Sequence, residues 1–143
     1  MSWRTVETEL LKIITDAVPS TVKVMTADDV AELVDRSQFA PSAQILYTGL
    51  TVQGQNSKAV AVTYQFDIAV CMRSASEQGR NGVAKLSATD LSEQLIAALI
   101  GRSISSTTRM PIKLVNSTAP VPAAGYVYIQ TSYEVSSVIN ATT

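Results

Sequence analysis

The sequence contains no histidine. That absence removes the commonest general base, the usual member of a nucleophilic triad and the most frequent metal ligand. There is one cysteine, Cys71, so no internal disulfide can form, and no zinc-type Cys/His spacing exists. Charge is also scarce. Charged residues are 16% of the chain and the formal net charge is −1, against about 25% charged residues in an ordinary domain. The near-neutral balance argues against nucleic acid as the main partner. No run of about 18 apolar residues occurs, so no helical membrane span is expected. The first residues carry Glu7 and Glu9 and lack the continuous apolar core of a signal peptide, so the cytoplasm is the expected compartment.

Apolar residues reach 46% of the chain, and Ser and Thr fill much of the rest. A surface this poor in charge is weakly protected against self-association, as expected where neighbouring subunits cover it. The 143 residues suit one domain, 1–143. A domain of that size buries roughly 68% of the surface its unfolded chain exposes and needs no disulfide or metal to fold.

Periodicity gives the elements. Apolar residues at Val6, Leu10, Ile13 and Ala17 predict a helix over Trp3–Ala17, with Ser2 as N-cap and Pro19 as the stop. Thr21–Thr26 reads as a short β-branched strand, and Asp28–Asp35 as a short helix with an acidic outer face. Ala43–Val52 is a strand bent at Gly49, Gln53–Lys58 a polar tip, and Val60–Met72 the strongest strand signal. There Val60, Val62, Tyr64, Phe66, Ile68, Val70 and Met72 alternate with smaller or polar residues. Val83–Ile100 is a second helix, with Ala84, Ala88, Leu91, Leu95 and Leu99 as its stripe and Gly101 at C′. Pro111–Asn116 is a strand and Ala119–Gly125 a loop. Tyr126–Val138 closes the chain as a strand, with Val127, Ile129, Tyr133 and Val135 toward the core.

The fold class is α+β: a mainly antiparallel sheet covered on one face by the two main helices. Val60–Met72 spans about 43 Å at 3.3 Å per residue, more than the roughly 37 Å diameter of a compact domain of this length. A long projecting β-hairpin is therefore expected, unless the strand bends.

Catalytic signals are weak. Gly79–Gly82 has neither the spacing nor the lysine of a phosphate-binding loop. Asp28, Asp29 and Glu32 lack the alternation of a calcium loop and read as a solvated face. Asp67, mid-strand beside Gln65, is a candidate carboxylate, or simply a residue on the wet or subunit-facing side of the sheet. Cys71 reads as a small apolar strand residue. The charges are uneven. Asp28–Arg36 holds four acids against one base, and between Glu93 and Glu134 the only charges are Arg102, Arg109 and Lys113. They are two unrelated solvated faces, or the two sides of a head-to-tail contact of the kind that closes rings. The candidate subunit-contact residues are then Asp28, Asp29 and Glu32, Arg102, Arg109 and Lys113, and Gln53, Gly54, Gln55, Asn56 and Lys58 at the tip. No cofactor is expected.

The run FDIAVCMRSASEQGRNGVAKLSATDLSEQLIAALIGR, followed by AAGYVYIQTSYEV, resembles tail-completion proteins of long-tailed bacteriophages, most nearly the Mu-type tail terminators. The likeness lies in the long strand ending at Arg73, the turn with Gly79 and Gly82, the Ala98-Leu99-Ile100-Gly101 helix end and the Tyr133-Glu134 pair. It implies a non-enzymatic virion protein. It implies a hexameric ring at the head-proximal end of the tail that stops tube and sheath growth and joins the neck, built in the host cytoplasm. The implied partners are further copies of the chain, the tail tube protein, the sheath protein and a neck or connector protein. DNA would pass through the lumen without sequence recognition, and no membrane would be involved. A head–tail connector, a cytoplasmic ligand-binding domain and a carboxylate enzyme using Asp67 are the competing readings.

Overall fold

The computed structural model describes residues 3–26, 41–73, 81–104, 111–123 and 125–142. Within these residues two helices, α1 (Trp3–Ala17) and α2 (Asn81–Leu99), accompany six strands: β1 (Lys23–Thr26), β2 (Ser42–Gln55), β3 (Ala59–Arg73), β4 (Lys113–Ser117), β5 (Val121–Ala123) and β6 (Tyr126–Asn140). They form one sheet in the order β1-β2-β3-β6-β4, with β5 also on β6. β1 runs parallel to β2, and every other pairing is antiparallel. The α+β class and the mainly antiparallel sheet are as expected.

Alternation sorts the sheet's faces. Val62, Tyr64, Phe66, Ile68 and Val70 of β3 lie in register with Ser137, Val135, Tyr133, Thr131 and Ile129 of β6. All of these are buried on the face that packs against Val6, Leu10 and Ile14 of α1 and Ala88, Leu91, Leu95 and Leu99 of α2. The buried stripe of α1 thus ends on Ile14; Ile13 and Ala17, expected in it, are half-buried at its margin. Trp3 stacks on Tyr47 with ring centroids 4.5 Å apart, and Tyr47 meets Phe66 at 5.4 Å, which anchors the start of α1 to the sheet. Gln94 of α2 donates from Nε2 to the Ala17 carbonyl at 2.6 Å, satisfying one of the orphan carbonyls at the end of α1. Gly101 follows α2 with φ +76°, the left-handed C′ conformation that glycine adopts without a Cβ penalty.

The expected bend at Gly49 is a β-bulge. The register slips between Tyr47 and Gly49, Thr48 is the extra residue, and Gly49 has φ +130°. A second slip, between Val52 and Gly54, makes Gln53 the extra residue. The Ala119–Gly125 stretch, expected as a loop, instead contributes β5. Its Pro122 is tolerated because β5 lies at the sheet edge, where one side of the strand needs no partner.

Tyr133 carries the clearest local cost. Its hydroxyl is buried with no hydrogen-bond partner among the described residues, and burial holds its pKa far above the ordinary tyrosine range. Unpartnered buried hydroxyls cost about 1–3 kcal/mol. Tyr133→Phe is therefore expected to raise folding stability by roughly 1 kcal/mol, read as a higher denaturant midpoint at unchanged slope. The pH dependence has a definite sign. A folded-state pKa raised above the unfolded value leaves stability intact below pH 10 and loses it as pH climbs beyond that. The Tyr133→Phe variant, with no hydroxyl to ionise at this position, should lose less over that alkaline range.

Candidate functional site

The hairpin is the long arm of the molecule. Its turn is self-contained: the Asn56 side-chain oxygen accepts from the Lys58 and Ala59 amides at 2.8 and 2.9 Å, and the Asn56 amide donates to the Ala59 carbonyl. The arm is also three strands wide. β6 pairs with β3 along its whole length, up to Asn140 opposite Ala59, and the Ala141 amide donates to the Lys58 carbonyl at the tip. Near that end the strands are aligned in rows: Leu50–Tyr64–Val135, Val52–Val62–Ser137 and Gly54–Ala61–Val138.

This outer blade is barely covered. From Leu50 to Lys58 every residue is exposed. Leu50 is 42% exposed, Val52 55% and Val138 40%, three of the six exposed large apolar residues among those described. β1 flanks β2 only from Ser42 to Ile45, and no described strand flanks β6 beyond Glu134. The three long strands hold only Asp67, Arg73 and Glu134 as charged residues. Exposed apolar side chains on a nearly uncharged, open-edged sheet characterise a surface meant to be covered.

The expected contact residues divide. Gln53, Gly54, Gln55, Asn56 and Lys58 come together, exposed, at the blade's end. Arg102 and Lys113 are exposed and close in the chain fold, because the Arg102 carbonyl accepts from the amide of Ile112 at 2.7 Å. Arg102 also borders a groove of about 280 Å³ against Glu9, Lys12 and Asp16 of α1, where the charges balance. Asp28, Asp29, Glu32 and Arg109 lie outside the described residues. Leu50, Val52 and Val138 were not singled out from sequence. Leu50 and Val52 lie in the uncharged run Leu46–Gln55 and Val138 in the uncharged run Val135–Asn140, but an uncharged run does not tell exposed positions from buried ones.

Asp67 is a structural tie. Its carboxylate accepts from Gln130 Nε2 at 2.5 Å and from Ser132 Oγ at 2.6 Å, linking β3 to β6 on the face away from the helices. Both of its oxygens are engaged, and it lines neither the α1 groove nor the hollow of about 190 Å³ at the tip. Among the described residues no group of three His, Cys, Asp or Glu side chains could hold a metal ion. No described helix is long and apolar enough to cross a membrane.

Cys71 is fully buried between Ser42 and Tyr128, and burial raises its pKa against the opposing hydrogen bonds. Thiol reagents at neutral pH are expected to modify it only at the rate of unfolding, checked by comparing labelling kinetics in buffer and in denaturant; fast labelling in buffer would place the thiol at the surface.

A comparison with curated proteins finds no match. The family model for phage tail terminator proteins matches residues 6–143, which takes in both described helices and all six described strands apart from the first turn of α1. The exposed blade, the scarcity of charge and that match agree, and the chain belongs to the phage tail terminator family, a family of structural proteins of the phage tail.

Proposed function

We propose that residues 1–143 act as one domain that assembles into a ring, a hexamer as in Mu-type terminators, on the head-proximal end of the tail tube. The ring ends tube and sheath growth and offers its other surface to the neck, with DNA passing through the lumen. The family match over residues 6–143 carries this reading. The exposed apolar residues of the blade support the self-assembly part of it, since a monomer gains nothing from leaving Leu50, Val52 and Val138 in water. The tip residues Gln53–Lys58 reach the neighbouring subunit. Asp28, Asp29 and Glu32 of one copy meet Arg102, Arg109 and Lys113 of the next.

Light scattering on the purified chain, alone and with tube protein, tests the ring. A single closed oligomer, formed alone or on the tube, is the expected result. A chain that stays monomeric at high concentration and in the presence of tube protein excludes it.

A further inference from the structure

Edge strands usually carry a device against pairing with other chains: a lysine, a proline, a bulge or a cover. The outer part of β2 has no lysine and no proline. Its bulges, at Thr48 and Gln53, bracket a regular stretch, Gly49–Val52, that pairs with β3 on one side only among the described strands. On the far side of β3, the outer end of β6 occupies the same rows. It too is uncharged beyond Glu134, and no described strand flanks it there. One molecule thus presents two neutral strand edges of matched length at the same height.

Their directions agree as well. β3 is antiparallel to both β2 and β6, so β2 and β6 run the same way. Rotation about an axis roughly along the strands brings β2 of one copy beside β6 of the next with the directions unchanged, which makes the contact parallel and heterologous. A two-fold axis would instead pair β2 with β2.

We infer that the outer edge of β2, Leu50–Gln55, pairs in parallel with the outer end of β6 of a second copy, so that the sheet continues from subunit to subunit. This rests on the ring reading and names its interface. Such a contact supplies about four to six backbone hydrogen bonds. At one bond per 100–200 Å², that corresponds to roughly 400–1,200 Å². An isolated stable pair needs about 1,200–2,000 Å². The contact is therefore weak singly and holds when each subunit uses both edges, which favours a closed ring over free dimers.

Cysteine cross-linking tests the pairing. In a Cys71→Ala background, Ser136→Cys, which shares a row with Thr51 across β3, is combined in turn with Leu50→Cys, Thr51→Cys and Val52→Cys, and the assembled protein is oxidised. β2 and β6 of one chain are two strand spacings apart, about 9.6 Å, beyond the roughly 7 Å between Cα atoms that a disulfide spans. Any bridge therefore joins two copies. The expected result is a ladder of multimers for alternate β2 positions, either 51 alone or 50 and 52, because side chains alternate across a strand. Single-cysteine variants should stay monomeric on denaturing gels. In the wild-type protein, the amides of Leu50–Val52 should become protected from hydrogen exchange on assembly. A ring that forms without a ladder and without that protection overturns the strand pairing and leaves the ring intact. Dimers from single β2 cysteines overturn it in favour of two-fold pairing. A chain that remains monomeric under every condition overturns both.

Discussion

A Val52→Lys variant is expected to fold normally and fail to assemble. Val52 is 55% exposed, so the substitution removes little buried area and should change folding stability by no more than about 0.5 kcal/mol. In the proposed assembly the same position is covered. An ammonium buried without a partner costs about 3–5 kcal/mol, which weakens each contact by roughly a hundredfold to several thousandfold. Thermal melting and light scattering on one preparation separate the two effects. Wild-type assembly by Val52→Lys would remove the blade from the interface. Glu93→Lys, on the exposed side of α2, is the matched control and should assemble as wild type.

Phe66→Ala is expected to produce the opposite pattern, a loss of fold before any question of assembly. Phe66 is fully buried in the middle of β3 and contacts Tyr47, which Trp3 stacks upon. Truncating such a residue costs about 3–5 kcal/mol from lost burial and the cavity left behind. Domains hold only about 5–15 kcal/mol in total. The denaturant midpoint should fall by a large fraction of its value, and the N-terminal helix should loosen with it because its aromatic anchor has lost its support. A midpoint within a few per cent of wild type would mean that the aromatic cluster is not a core element.

Much of the fold was legible in the sequence, for particular reasons. Val60–Met72 alternates so regularly that only one face can be buried, and β3 is that strand. α1 begins and ends where Trp3 and Pro19 predict, and Gly101 terminates α2. The parallel pairing of β1 was not legible, because strand direction depends on where the chain returns and not on local pattern. β5 was missed because proline and alanine read as loop residues unless a neighbouring strand is known to lie alongside. The stripe of α1 was misplaced from Ile14 to Ile13, since both spacings, i+3 and i+4, fit a helix and only the packing partner decides between them.

The candidate surface was legible in part. Polar tip residues announce a loop, so Gln53–Lys58 could be named. The exposure of Leu50, Val52 and Val138 depends on where the helices stop covering the sheet, which no local pattern records. Asp67 shows the converse. Its mid-strand position looked chemically interesting, and its hydrogen bonds to Gln130 and Ser132 come from residues more than sixty positions away.

One claim of the proposed function stands above the others: that this chain ends growth of the tail tube. The most direct measurement is the length of tubes polymerised from purified tube protein with increasing amounts of the chain, imaged by electron microscopy. The predicted result is a graded shortening, with a ring of density at one end of each tube and no further growth when more tube protein is added. Tubes of unchanged length with bare ends, at a concentration where the chain is folded and in excess, would contradict it.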